Sequence, residues 1–391
     1  MSIAADAAAA STGRLRILIV GAGIAGTALA ALLQRWDLQP ALVERAKPSS
    51  AAGYNLGVYP VGGRIMHGLG LFPRFAEASQ DVRTYQLFNG AGRKMQEFDL
   101  GALFETYGPI SGIRRSELIA LFADGLPARS IIHEASVTKL DQTAKDVGVT
   151  FSDGSTARFD LVVGADGIHS AVRSMILPQV KIHTFDTNWS CLVSWLPSDV
   201  LPGGMFREYW GAGFLVGLYA VKGEIGVVIA GPRSRLQSDR AGFLAEIRGH
   251  LNEPVAARAV DAVSADPDPF VWHLMDVRAD DWTAGRVVLV GDAADAFLPT
   301  AGVGASMAML SAAALADELS RTDAAHLPGA LALYQRRQQH KVVAAQQNSR
   351  KLAQMMMVDS PAMAWGREVL MHFYSPDRAL HDIVKVMDGL V

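Results

Sequence analysis

Residues 15–44 read LRILIVGAGIAGTALAALLQRWDLQPALVE, and the order of residue types within them decides the fold. Leu15 to Val20 is a short apolar run of the buried-strand kind. Gly21-Ala22-Gly23-Ile24-Ala25-Gly26 follows at once, Thr27 to Trp36 continues as an apolar helix, and Pro40 to Glu44 reads as a second strand ending in an acid. This is GxGxxG in the setting that a dinucleotide needs, namely strand, turn, helix, strand and carboxylate. Gly21 makes the tight turn, Gly23 lets the backbone meet a pyrophosphate, and Gly26 lets helix and strand pack. Glu44 is placed for ribose hydroxyls, so FAD or NAD(H) fits better than NADP(H).

Two later corners repeat the pattern. Arg286 to Val290 is a buried strand running into Gly291–Met309, GDAADAFLPTAGVGASMAM. A loop broken by Pro299, with Gly302 and Gly304, leads there into a helix of small residues from Ala305 onward. Such a corner gathers unpaired N–H groups at the positive end of a helix, against which a flat ligand can lie. Asp292 can accept hydrogen bonds from ligand hydroxyls; alone, the same residues would also suit an ordinary capped corner. Asp160 to Val163 likewise enters Gly164-Ala165-Asp166-Gly167-Ile168-His169-Ser170, where Asp166 is either ligand-facing or a helix cap. His169 reads as a packed or capping residue.

Between and around these corners the pattern is mixed. Gly53 to Gly70 is a glycine-rich connection with a short helix near Arg64 to Leu69; the glycines around Tyr54, Asn55 and Tyr59 suit a ligand or domain interface, or a plain flexible loop. Asn89-Gly90 and Asp153-Gly154 mark hairpins. Arg114-Arg115 at a helix start opposes the dipole, so at least one of them needs an anion, whether a ligand or a surface carboxylate. From Lys181 to His273 the chain turns to aromatic-rich strands with a helical excursion at 234–263, the pattern of an inserted, mainly antiparallel sheet that can cover a cofactor and hold a substrate. Arg207, Tyr209, Trp210 and Tyr219 are its most ligand-like side chains. Ala330 to Met357 is a long helix ending in Met355, Met356 and Met357, which read as core before Asp359-Ser360-Pro361 breaks it.

The expected architecture is therefore α/β: a Rossmann-like dinucleotide-binding domain from 14–75, 101–180 and 274–328, a β-sheet substrate domain from 76–100 and 181–273, and a helical segment at 329–391. Residues 1–13 lack the basic start of a signal peptide and read as a disordered tail. The 391 residues carry a net charge of −3, which offers no footprint for nucleic acid. The single cysteine excludes an internal disulfide, and ten histidines without zinc-like spacing give no reason to expect a metal. The uncharged stretch 296–316 is long enough for a bilayer, but Pro299 and its glycines suit a buried loop and helix instead. A cytoplasmic protein with no membrane partner is expected.

Taken together, GAGIAG with Glu44, GADGIHSAVR at 164–173, GDAAD with PTAGVGA at 291–305, Arg115-Ser116-Glu117-Leu118 and Tyr334-Gln335-Arg336-Arg337 resemble the single-component FAD-dependent aromatic hydroxylases, the para-hydroxybenzoate hydroxylase-like flavoprotein monooxygenases, across residues 14 to 355. The resemblance implies FAD as cofactor, with Gly21, Ala22, Gly23, Ile24, Ala25 and Gly26 at its pyrophosphate, Glu44 and Arg45 at its adenosine half, Arg115 and Asp166 near the pyrophosphate, and Asp292 on the ribityl hydroxyls. Pro299, Gly302, Val303, Gly304 and Ala305 would border the flavin ring, where a helix N-terminus favours its reduced, anionic form. It further implies NADH or NADPH as transient reductant, O2, and hydroxylation of an aromatic or polyketide-like molecule through a flavin hydroperoxide, without a dedicated catalytic side chain. A flavoprotein of the same fold using FAD without redox, as a cyclase or isomerase, is the alternative; a halogenase is disfavoured by the lack of a GWxWxIP-like segment. Three positions depart from the family pattern: Asp295 in place of histidine, which would add negative charge near the flavin, Val303 in place of a polar residue, and Ser306 in place of asparagine.

Overall fold

A computed structural model describes residues 2–48 and 53–373; residues 49–52 and the part of the C-terminal segment at 374–391 lie outside the described residues. The strand Ile17–Val20 sits in the middle of a six-stranded sheet, with Ala41–Glu44 and Ile131–His133 on one side and Leu161–Gly164, Val287–Leu289 and Thr283–Ala284 on the other. All neighbours but the last pair are parallel. Sequence order and spatial order differ because strands from about residues 17, 161 and 287 are brought side by side. Their glycine corners therefore emerge at one edge of the sheet, as a doubly wound fold requires.

The second large sheet has eight strands, in the order Asp295–Ala296, Phe270–Ala279, Ile182–Pro197, Glu224–Pro232, Leu215–Val221, Met205–Trp210, Thr84–Asn89 and Lys94–Asp99. Only the pairing of Met205–Trp210 with Thr84–Asn89 is parallel. Side chains alternate between its faces. Ile225, Val227 and Ile229 point back into a core with Phe243, Ile247, Val260 and Val263 of the helices Arg240–His250 and Pro254–Ala265. Leu87, Cys191, Val193, Leu215 and Ala230 point forward, toward Leu298, Met356 and Met371.

The helix Leu327–Met356 ties the two sheets together. Its Arg350 forms a two-pronged ion pair with Asp276, at 2.7 and 2.6 Å, and lies over the Phe185 ring. Its Gln346 amide donates to the carbonyls of Val277 and Ala296. No described helix is long and apolar enough to cross a membrane.

The N-terminal residues correct an expectation. Ile3–Ala10 form a helix in place of a disordered tail, with the Ser2 hydroxyl accepting from the Ala5 amide at its start. Alanine is the strongest helix former and its small side chain permits close docking: Ala4 and Ala7 are buried, and the Ile3 and Ala4 amides donate to Asp153 and Ser155 of the hairpin around Gly154.

Candidate active site

Between the two sheets lies a cavity of about 1610 Å³. One part is a cradle of backbone. Gly21 has φ +106°, and a Cβ there would lie 2.4 Å from the Ala165 carbonyl oxygen, so the first and second corners touch through a bare glycine. Among the described residues, Gly23 has only Arg115 near, at 3.7 Å, and nothing lies within 4 Å of where a Gly167 side chain would begin. The helix Ile24–Gln34 starts at Gly23 with no side-chain cap, leaving its first amides for an anion.

Glu44 accepts from the Ala22 amide through one oxygen and from the Ala46 amide through the other, both at 2.9 Å. Each oxygen keeps a free lone pair for a ribose hydroxyl. Arg114 and Arg115 divide the two roles open to the pair. Arg114 pairs with Glu224 and stacks 3.8 Å from Trp195, whereas Arg115 faces the cradle beside Tyr54 with no carboxylate in ion-pair contact among the described residues. Arg45 also borders the cavity. Ser170 is the N-cap of the helix Ala171–Ile176, and Asp166 supports that start: its oxygens accept from the Ser170 hydroxyl and from the Ala171 and Val172 amides, while it still borders the cavity.

At the third corner, Asp292 opens onto the cavity and is enclosed by protein on its other sides. That enclosure pushes its carboxyl up to about 6, against the downward pull of Arg115 and Arg173. Pro299–Ala301 is a single tight turn closed by Gly302 at φ +63°, after which Gly304–Ser320 is helical. The amides of Val303, Gly304 and Ala305 have no partner among the described residues, and a Cβ on Gly302 or Gly304 would meet nothing nearer than 3.8 Å. Tyr59 holds this turn, donating its hydroxyl to Ala301, while its amide donates to Ser306. Burial pushes the Tyr59 phenol up to about 12, so it stays a donor.

The other part of the cavity is apolar and aromatic, walled by the forward face of the large sheet. Trp210 and Tyr219 border it; Arg207 and Tyr209 do not. The two latter residues are corrected by strand alternation: 206, 208 and 210 face forward, so 207 and 209 face back. There Arg207 donates to Gln86, and the Tyr209 hydroxyl donates to Glu253 at 2.6 Å. Glu208, absent from the expected set, is the forward-facing acid, 7% exposed, accepting from Trp210 Nε1 at 2.7 Å and the Tyr219 hydroxyl at 2.8 Å. An acid spaced two residues from both Phe206 and Trp210, so that it shares their face of an interior strand, is the signal that marks it. Met355, Met356 and Met357 also border the cavity, although the sequence reads as plain core there.

Asp295 is corrected too. It does not border the cavity but lies behind it, 1% exposed, one oxygen accepting from the Ala279 amide and the other without a hydrogen-bond partner among the described residues. Burial pushes this carboxyl up to about 7. Such a group favours folding while protonated, an advantage complete below about pH 4 and lost as pH rises through 7. Asp295→Asn removes that slope, so relative to the wild type it should gain about 2–4 kcal/mol between pH 4 and pH 8. Urea melts at both pH values check this, and an unchanged difference rejects it.

A family described as FAD binding domain matches residues 14–348. The 3-amino-4-hydroxybenzoate 2-monooxygenase of Streptomyces cremeus is 31% identical over 308 residues, spanning 75% of this chain and 76% of that protein. The FAD-dependent monooxygenase ausM of Aspergillus calidoustus is 30% identical over 346 residues, spanning 81% and 73%. In fold, the chain superposes on Klebsiella pneumoniae HpxO complexed with FAD and uric acid with a TM-score of 0.86, at 23% identity, covering 96% of this chain and 97% of that one. The chain belongs to the FAD binding domain family. It is a flavoprotein, an FAD-dependent monooxygenase.

The bare glycines and unpaired amides fit that cofactor: an extended dinucleotide needs backbone donors at its phosphates and space where side chains would stand. Removing Asp292 as an acceptor for ribityl hydroxyls should weaken FAD retention by about 1–3 kcal/mol in Asp292→Ala. Retained FAD per chain after gel filtration measures this; a variant as yellow as the parent refutes the contact. Because hydroxyl donors favour the ionised form, wild-type FAD affinity should also fall as pH drops below 6, and Asp292→Asn should flatten that dependence.

Proposed function

We propose that this flavoprotein consumes NADH or NADPH and O2 to hydroxylate an aromatic or polyketide-like small molecule in the cytoplasm. The observation that carries the proposal is the continuity of the backbone cradle with an aromatic-walled chamber, the two meeting at the Pro299–Ala305 turn. When bound, FAD supplies hydride acceptance and oxygen activation. The chain's part is to hold, orient and exclude water. Glu44, Arg115 and Asp292 grip the dinucleotide along its length, and the free amides of Val303, Gly304 and Ala305 offer positive potential where a reduced ring gathers negative charge. Leu87, Val193, Phe206, Leu215 and Leu298 supply apolar wall that does not hold water around the carboxylate of Glu208. Overall, one oxygen atom enters a ring C–H and the other leaves as water, with the electron pair taken from the reduced nicotinamide. The name of the Streptomyces cremeus relative, a hydroxylase of an aminohydroxybenzoate, supports an aromatic substrate.

The test is to mix the FAD-loaded protein anaerobically with NADH or NADPH and candidate aromatics, then admit ¹⁸O₂. Substrate-stimulated bleaching of the flavin and a product heavier by one ¹⁸O atom support the proposal. A flavin that stays oxidised while the substrate rearranges without gaining oxygen supports the cyclase or isomerase reading instead.

A further inference from the structure

The charged groups of the chamber are unevenly placed. Its basic side chains gather at the cofactor and at one margin of the large sheet. Arg45 and Arg115 stand at the cradle, His273 hydrogen-bonds Ser190 on the strand Phe270–Ala279, and Lys351 follows the Arg350 that grips Asp276 of that strand. Glu208 is four strands away across the sheet, about 19 Å at the usual strand spacing. Its oxygens meet only neutral donors, Trp210 and Tyr219 with the Tyr85 hydroxyl close by, and no described residue forms an ion pair with it. Burial, with Glu208 adding to it, raises the phenols of Tyr85 and Tyr219 well above their usual range, so neither ring supplies charge.

A carboxylate out of contact with water is expensive unless a cation or several donors meet it. Here the protein provides neutral donors alone, from Trp210, Tyr219 and Tyr85, and no cation, while the carboxylate borders a ligand-sized space. Around that space stand Phe206, Tyr85 and Tyr219, the surroundings in which cations are held against aromatic rings. Beside them is Trp210, whose ring already lies under the buried Arg367, which spends its donors on backbone carbonyls and forms no ion pair with Glu208. We infer that the chamber takes an aromatic substrate bearing a protonated nitrogen, with Glu208 as its counter-ion, and discriminates against aromatic carboxylates. The inference deepens the proposed function and rests on its assignment of this chamber to the substrate. Glu208 then orients the molecule through a charge-assisted hydrogen bond, and the like-charge contact rejects acids.

The test uses FAD-loaded protein and three probes of one shape, 2-naphthylmethylamine, 2-naphthalenemethanol and 2-naphthoate, titrated at pH 7.5 against the visible spectrum of the bound flavin. The amine should bind at least about tenfold more tightly than the alcohol, and the carboxylate most weakly. In Glu208→Gln the amine-to-alcohol ratio should collapse to about twofold, with alcohol affinity and FAD content little changed. Naphthoate binding as tightly as the amine in the wild type, or an amine preference that survives Glu208→Gln, overturns the inference. If Glu208→Gln loses FAD, the wild-type charge series decides by itself. The outcomes separate from those of the proposed function. A protein that prefers the amine but never incorporates oxygen keeps the charge assignment and loses the monooxygenase chemistry; one that hydroxylates aromatic acids faster than amines does the reverse.

Discussion

Replacing Gly26 with alanine should strip the protein of FAD and cost about 3 kcal/mol of stability. The added methyl would stand 2.0 Å from the Gly21 carbonyl oxygen and 3.3 Å from an Ile19 methyl. The first contact is with backbone, which no rotamer change relieves. Helix Ile24–Gln34 would have to lift from the strand Ile17–Val20, moving the amides at Gly23 and Ile24 away from the pyrophosphate. Unlike a lost ligand contact, this change should lower the urea midpoint of the flavin-free protein as well. Flavin content and denaturation measured together check both parts, and a variant that keeps normal FAD content rejects the close packing.

Arg350→Ala should be at least as damaging, at about 3–5 kcal/mol. Asp276 is 0% exposed, and Arg350 meets both of its oxygens. Without the guanidinium the carboxylate stays buried without its counter-charge, and the hold of the helix Leu327–Met356 on the large sheet weakens. The same helix accepts the Thr300 hydroxyl at the Ser349 carbonyl, so the flavin-side turn should loosen with it. The double variant Arg350→Met, Asp276→Leu removes both charges and should recover most of the loss. A single variant within 1 kcal/mol of the parent would show that Asp276 draws its stability from other groups.

The parts of this molecule legible in the sequence are those governed by local rules. Gly21, Gly23, Gly26 and Glu44 announce their corner because each answers a steric or hydrogen-bonding demand met within a few residues. The hairpins at Asn89 and Gly154, and the break after Met356, are local in the same way. The sheet wall was readable as strand but not as face. Met205–Trp210 alternates, and nothing within those six residues says which set meets the helices Arg240–His250 and Pro254–Ala265; that is settled by packing with chain some fifty residues on. Choosing Arg207 and Tyr209 for their chemistry passed over Glu208, which lies between them. Asp295 follows the third corner closely in sequence, yet the strand Asp295–Ala296 turns its side chain toward Ala279 and away from the ligand.

The joining of corners near residues 21, 166 and 292 has a bearing on synthesis. A ribosome adding about 5–20 residues each second delivers the third corner many seconds after the first. Meanwhile the nascent chain holds the glycine turn without Asp292, the carboxylate proposed for the riboflavin end. Holoenzyme formation is then a late event, completed after translation has passed the Gly304–Ser320 helix, and a cell short of the vitamin should accumulate chains that are full length and open to proteases.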